Sequence, residues 1–173
     1  MEYKLRKLTL DDAQDLAKAA NNPNVARYLR NVFPCPYKLQ DAIDYINYAT
    51  DNEDDIVLGI VVEGKVRGCV CARLRGDVYA KSCELGYWLS EQFWGKGLMT
   101  LVVKEFCDFV FENYDIHRID AEVFADNVAS RRVLEKIGFE LEGVCRQKVY
   151  KDGRFMDEAV YAIIRDDLPR AKA

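Results

Sequence analysis

At 173 residues, half of them hydrophobic and 31% charged, the chain has the length and balance of a globular domain with a core, not of a disordered segment. A formal net charge of −4 counts against the basic field that non-specific nucleic-acid binding needs, so no direct nucleic-acid partner is expected. The start, MEYKLRKLTLDD, has no basic stretch leading into an apolar core, and apolar runs such as Ile56–Val62 fall far short of the ~20 residues that span a bilayer; neither a secretory signal nor a membrane partner is expected.

Residues 2–8, EYKLRKL, alternate like an opening strand. TLDDAQDLAKAANNP then predicts a helix with Thr9 as N-cap and Asp12 in its first turn, stopping near Pro23. A second short helix is predicted over NVARYLR, residues 24–30, and two prolines make VFPCPY an irregular loop. KLQDAIDYINYATDNEDD spaces Leu39, Ala42, Ile43 and Ile46 as one helical face. IVLGIVV, the turn EGK and VRGCVCARLR read as a hairpin, and SCELGYWLS, residues 82–90, as a further strand. Leu98, Leu101, Val102, Phe106, Phe109 and Val110 recur at three- and four-residue steps, the period of a helix with one buried face. HRIDAEVFA is a strand with Ile119, Ala121 and Val123 on one side, and His117 reads as its boundary residue. NVASRRVLEKIGF is a short helix capped by Asn127 and ended by Gly138, and FELEGVCRQKVY, KDGR and FMDEAVYAII close the chain as a hairpin.

No repeat, low-complexity tract or linker interrupts the chain, so residues 1–173 are expected to form a single domain. A right-handed crossover places the strand after the long helix parallel to strand 82–90. The expected fold is α/β (α+β): a mixed, mostly antiparallel central sheet of about seven strands flanked by helices. Cys35, Cys69, Cys71, Cys83, Cys107 and Cys145 contain no C-x-x-C spacing and have one histidine, His117, for company. No metal site is expected from them; they read as reduced thiols, packed in the core of a cytoplasmic protein.

The segment SEQFWGKGLMT raises the functional question, because Gly95 and Gly97 fall between a strand and a helix. A P-loop needs G-x-x-x-x-G-K-[ST], which is not there; a dinucleotide fingerprint needs a third Gly or Ala, where Thr100 stands. Two readings are left: a plain strand-to-helix turn, or an anion cradle in which glycine backbone and a helix N-terminus approach phosphate oxygens. QFWGKG matches the Q/R-x-x-G-x-G/A signature of the GNAT superfamily of N-acetyltransferases, and NVASRRVLEKIGF resembles that family's downstream helix. ELGYWLSEQFWGKGL and FELEGVCRQKVYKDGRFMDEAVYAI are similar to the Rim-type branch, the ribosomal-protein N-terminal acetyltransferases and their relatives. The resemblance runs over nearly the whole chain and favours the cradle.

What the resemblance implies is an enzyme that transfers acetyl from acetyl-CoA to a primary amine by direct attack in a ternary complex, with no metal. Gln92, Gly95, Lys96 and Gly97, with the first helical turn at Leu98, Met99 and Thr100, would hold the pyrophosphate. Tyr87, Trp88 and Leu89 would offer backbone hydrogen bonds to the pantetheine arm, beside a splay that frees donors for the oxyanion. A neutral amine needs a base, and Glu84 is the first candidate, with Asp157 and Glu158 in reserve. Many relatives carry a tyrosine as general acid where this chain has Leu134, so the role passes by resemblance to Ser130, three residues after Asn127. Asn127 would cap the helix and also bind the pantetheine amide. Cys83 beside Glu84 invites an acetyl-cysteine route, but no histidine is near it in sequence and direct transfer is preferred.

The acceptor is expected to be shaped by residues 21–55 and the closing hairpin. Tyr28, Phe33, Tyr37, Tyr45 and Tyr48 are either pocket lining or packing, and DNEDD reads as a solvated loop. A protein or peptide N-terminal amine leads as acceptor; a polyamine or antibiotic acceptor and a non-catalytic acetyl-CoA sensor are the alternatives. The expected assembly is a monomer or homodimer.

Overall fold

The computed structural model describes residues 2–165. In chain order its elements are β1 (Lys4–Arg6), α1 (Ala13–Ala20), α2 (Pro23–Ala26), α3 (Leu39–Asp51), β2 (Asp55–Val62), β3 (Lys65–Leu74) and β4 (Ser82–Leu89). There follow α4 (Leu98–Asn113), β5 (Arg118–Phe124), α5 (Val128–Lys136), β6 (Glu140–Lys151) and β7 (Arg154–Ile164). The seven strands form one sheet in the order β1-β2-β3-β4-β5-β7-β6, antiparallel throughout except for the parallel pair β4–β5. The mixed sheet flanked by helices and the parallel crossover are as expected from the sequence.

Strand alternation sorts the core into two layers. Leu85 and Leu89 of β4 and Ile119, Ala121 and Val123 of β5 face one way, onto Leu98, Val102, Phe106 and Val110 of α4 and Leu134 of α5. On the other face, Val57, Val61, Val66 and Cys69 pack against Leu16 and Ala20 of α1 and Ala42 and Ile46 of α3. Full burial of each of the larger aliphatic side chains is worth roughly 1.5–3 kcal/mol. Within α4 the expected stripe needs a correction: Leu101 is 54% exposed and Val103 is buried instead. At 100° per residue Leu101 lies on the flank of the face that Leu98, Val102 and Phe106 define. Leu39 shares the face of Ala42 and Ile46 but, as the first residue of α3, lies exposed at its end.

Several boundaries also differ. The opening strand is three residues long, because Leu8 turns away to join the α1–α3 layer. The helix after Thr9 starts as a 3₁₀ turn, Leu10–Asp12, in which the Asp12 carboxylate accepts the Thr9 N–H at 2.9 Å and both guanidinium arms of Arg6 at 2.7 Å. The helix expected over 24–30 ends at Ala26, where the chain tightens into a turn in which Leu29 donates its N–H to Ala26 O at 3.1 Å. All six cysteines are free, and Cys35 and Cys145 are exposed, in a loop and on the sheet edge, so core packing does not describe them. Among the described residues, no helix is long and apolar enough to cross a membrane.

Candidate active site

β4 and β5 pair over only three positions, Ser82–Arg118, Cys83–Ile119 and Glu84–Asp120, and then part. The parity of their backbones decides what the opening exposes. Ser90 donates its N–H to Arg67 O at 2.7 Å and Arg75 donates to Ser82 O at 3.2 Å, so even-numbered residues of β4 bond to β3. The N–H groups of Tyr87 and Leu89 therefore point into the gap, whereas that of Trp88 is turned to β3. Of the three residues expected to offer backbone donors there, Trp88 is thus corrected. The apex is held by Asp120, buried at 4% exposure, which accepts both arms of Arg75 at 2.8 Å.

The gap runs down to the turn ahead of α4. A 3₁₀ turn, Glu91–Phe93, leads into Gly95 and Gly97, whose φ angles of 70° and 76° belong to the left-handed region that suits glycine. A Cβ at either would meet nothing within 4 Å, so backbone conformation and not crowding demands glycine. Gly97 is the N-cap of a 16-residue helix with no acidic residue in its first turn. The N–H groups of Leu98, Met99 and Thr100 have no intrahelical partner and lie at the positive end of the dipole. The Trp94 indole donates to Leu89 O at 2.7 Å and ties the turn to β4. The side chains of Gln92 and Lys96 lie off this cleft: Gln92 lines a shallow polar hollow beside Lys18 and Arg67, and the Lys96 ammonium lies 5.6 Å from the Phe93 ring centre.

The whole opening is a cleft of about 860 Å³. On the α4–α5 side of the sheet it is lined by Tyr87, Asn127 and Ser130. Asn127 caps α5, its side-chain oxygen accepting the Ser130 N–H at 3.2 Å. The Ser130 and Tyr87 hydroxyls are 2.7 Å apart, and burial pushes the Tyr87 phenol well above its usual range, so it stays a neutral donor. Arg132, Val133 and Lys136 of α5 also reach the cleft, which the sequence reading missed; their spacing at i, i+1 and i+4 along the helix was the available signal.

Even-numbered side chains emerge on the other side. Glu84, 21% exposed, pairs with Arg30 and lies 4.0 Å from Arg75. Glu122 and Glu158 share Lys148, at 3.1 Å from Glu122, and this ammonium holds the Glu122 carboxyl below its usual range although burial opposes it. Glu158 lines the cleft, but its neighbour Asp157 points to the opposite face and accepts the Gln147 N–H at 2.8 Å, away from any acceptor. Tyr28, Phe33, Tyr37 and Tyr45 line this chamber, whereas Tyr48 bonds Asp55 outside it. Arg30, Lys148 and Lys151 were not singled out from sequence, since isolated cations in loops and strands carry no pattern. Cys83 is fully buried and its thiol is pushed up to about 12 by burial and by the Asp120 carboxylate, which leaves it a poor nucleophile at neutral pH. His117, just ahead of β5, donates its N–H to Lys81 O at 2.8 Å as a boundary residue.

Residues 3–140 match the family model described as the acetyltransferase (GNAT) domain. The uncharacterized N-acetyltransferase p20 of Bacillus licheniformis is 28% identical over 165 residues, covering 93% of this chain and 92% of that one. The [ribosomal protein uS5]-alanine N-acetyltransferase of Escherichia coli (strain K12) is 32% identical over 94 residues, 54% of this chain and 47% of that one. Among solved structures, RimL, a ribosomal L7/L12 alpha-N-protein acetyltransferase in complex with coenzyme A, superposes with a TM-score of 0.84 at 21% identity, covering 95% and 94% of the two chains.

Proposed function

The chain belongs to the GNAT acetyltransferase family and is an acetyl-CoA-dependent N-acetyltransferase; from that premise we propose that its acceptor is the N-terminal amine of a protein or peptide. The observation that carries the site assignment is the parting of β4 from β5 directly above the Gly95–Gly97 turn. It leaves the N–H groups of Tyr87 and Leu89 facing the gap, beside a glycine turn and a helix N-terminus of the kind that suits phosphate oxygens.

Acetyl-CoA brings the activated acetyl group, and the chain holds and orients it. In this reading the N–H groups of Gly95, Lys96, Gly97, Leu98, Met99 and Thr100 take the phosphates, and Arg132 and Lys136 add positive charge. Tyr87 and Leu89 take the arm through their backbones, and Asn127 through its side-chain amide. Glu84 accepts the amine's proton, directly or through water. As the N–C bond forms and the C–S bond breaks, the Ser130 hydroxyl, held by the neutral Tyr87 hydroxyl beside it, gives its proton to sulfur and recovers one from solvent. Base and acid then work from opposite faces of the split. The buried, protonated Cys83 thiol favours direct transfer over an acetyl-cysteine.

Two observations support a protein acceptor. The chamber opposite Ser130 has aromatic walls at Tyr28, Phe33, Tyr37 and Tyr45, and its carboxylates Glu84 and Glu158 are already paired with Arg30 and Lys148, a lining that suits a single peptide amine better than a polycation. The similar Escherichia coli enzyme carries a ribosomal-protein alanine in its name. The test is thiol release from acetyl-CoA at mildly alkaline pH, with pools of peptides bearing small or methionine N-termini, polyamines, or aminoglycosides. Release that depends on the peptide pool is expected. Release with only polyamines or aminoglycosides overturns the acceptor, and no release from a preparation that binds coenzyme A overturns the catalytic reading.

A further inference from the structure

Residues 22–33 cross the cleft as a strap whose fastenings come from three separate parts of the chain. At one end the side-chain amides of Asn22 and Asn24 donate to the two oxygens of Glu91, at 2.7 and 2.9 Å. Glu91 opens the 3₁₀ turn that leads directly to Gly95 and Gly97. In the middle, the Lys151 ammonium donates to Ala26 O at 2.9 Å and to Leu29 O at 2.5 Å. Lys151 ends β6 at the tip of the closing hairpin and is buried to 9% exposure. Beyond it the strap delivers Arg30 to Glu84, and Phe33 packs edge-on to Trp88 of β4, with ring centres 5.6 Å apart.

A buried ammonium is costly to desolvate unless carbonyls replace its water. Here Ala26 O, which also accepts the Leu29 N–H at 3.1 Å, and Leu29 O supply that replacement, so a lysine more than 120 positions away braces the turn after α2. Hairpin, strap and β4 thereby become one wall, with Arg30 set on the carboxylate assigned as base.

Resting on the reading of this chamber as the acceptor site, we propose that Lys151 and Glu91 are positioning residues for the acceptor: they hold the strap so that Arg30 orients Glu84 and the chamber keeps its wall. Neither touches a reacting atom. Because Glu91 adjoins the cradle, the strap also ties the wall of one substrate's site to the turn that holds the other.

The test compares Lys151→Met, Lys151→Arg and Glu91→Gln with the wild-type chain, using whichever acceptor pool supports turnover. Kinetics are paired with hydrogen–deuterium exchange of residues 22–33 and with coenzyme A titration. Loss of one charge-assisted anchor is expected to raise KM for the acceptor about tenfold in Lys151→Met. Strap exchange should speed up, coenzyme A affinity should stay within about twofold, and Lys151→Arg should recover part of the loss. Glu91→Gln should speed exchange at residues 22–24 first. Unchanged acceptor KM and unchanged strap exchange in both Lys151→Met and Glu91→Gln overturn the proposal, as does an equal loss of coenzyme A affinity. Exchange is read without any acceptor, so a failed peptide assignment and a failed strap are told apart. Should Lys151→Met not fold, Glu91→Gln decides.

Discussion

Tyr87 and Ser130 meet through hydroxyls 2.7 Å apart, one from the splayed end of β4 and the other from the first turn of α5. Neither side chain alone makes a convincing acid: a serine hydroxyl gives up its proton reluctantly, and the buried phenol is held neutral well above its usual range. In the proposed mechanism the serine donates and the tyrosine, staying neutral, holds the serine hydroxyl in place. Ser130→Ala should therefore lower kcat about a hundredfold, the usual scale for a positioned proton donor, with little change in KM for acetyl-CoA. Tyr87→Phe should cost less, about tenfold, because it removes only the hold on the serine and leaves the proton donor in place. Steady-state kinetics with both substrates varied would check this. A Ser130→Ala enzyme with wild-type kcat would remove the serine from the mechanism. The serine was singled out only by the family resemblance, three residues after Asn127; the tyrosine was singled out only as backbone, because nothing in the strand pattern says that its hydroxyl reaches across to another element.

At the scale of elements, the same contrast separates the helices. α4 and α5 were readable because each carries its own apolar face and its own terminus, Gly97 at the head of one and Asn127 with Gly138 at the ends of the other. α2 was not, because it gives way after Ala26 to a tight turn braced by Lys151, far along the chain, and no local residue marks the stop. The start of α1 falls between these cases. Thr9 marks it in sequence, yet the Asp12 carboxyl that answers Thr9 is also clamped by Arg6 of β1. Those Arg6 hydrogen bonds hold the Asp12 carboxyl below its ordinary value, burial opposing and the Thr9 N–H assisting. A lowered folded-state pKa stabilises the fold above the unfolded value, about 4, and that contribution is lost as pH falls through the folded value. Asp12→Asn should then cost about 1–2 kcal/mol at neutral pH, the lower part of the range for charged hydrogen bonds because Arg6 is 42% exposed and screened. Urea denaturation should show the deficit shrinking as the pH is taken below about 4. A deficit that stays constant with pH would assign the stability of this corner to packing, not to the ion pair.

For the molecule as a whole, the decisive feature is where the sheet fails to be a sheet. Each strand on either side of the opening was legible from its residues, but pairing is a relation between strands, and nothing in β4 or β5 alone announces that it stops at Glu84 and Asp120. The apex is held by Arg75, just past the end of β3, reaching across β4 to Asp120 of β5, a contact between residues 45 positions apart. Below that clamp the sheet is continuous and carries the α4–α5 layer as its core; above it the backbone is left to bind something else. The consequence can be read amide by amide. In the free protein the amides of Tyr87 and Leu89 should exchange with solvent faster than those of Gly86 and Trp88, which are bonded to β3. Saturating coenzyme A should slow Tyr87 and Leu89 by about tenfold or more and leave Gly86 and Trp88 nearly unchanged, because only the first pair gains a partner. Amide exchange followed residue by residue by NMR separates the two sets. If Tyr87 and Leu89 are as protected as Trp88 before any cofactor is added, the strands close in solution, and the donors assigned to the cofactor are already spent on the sheet.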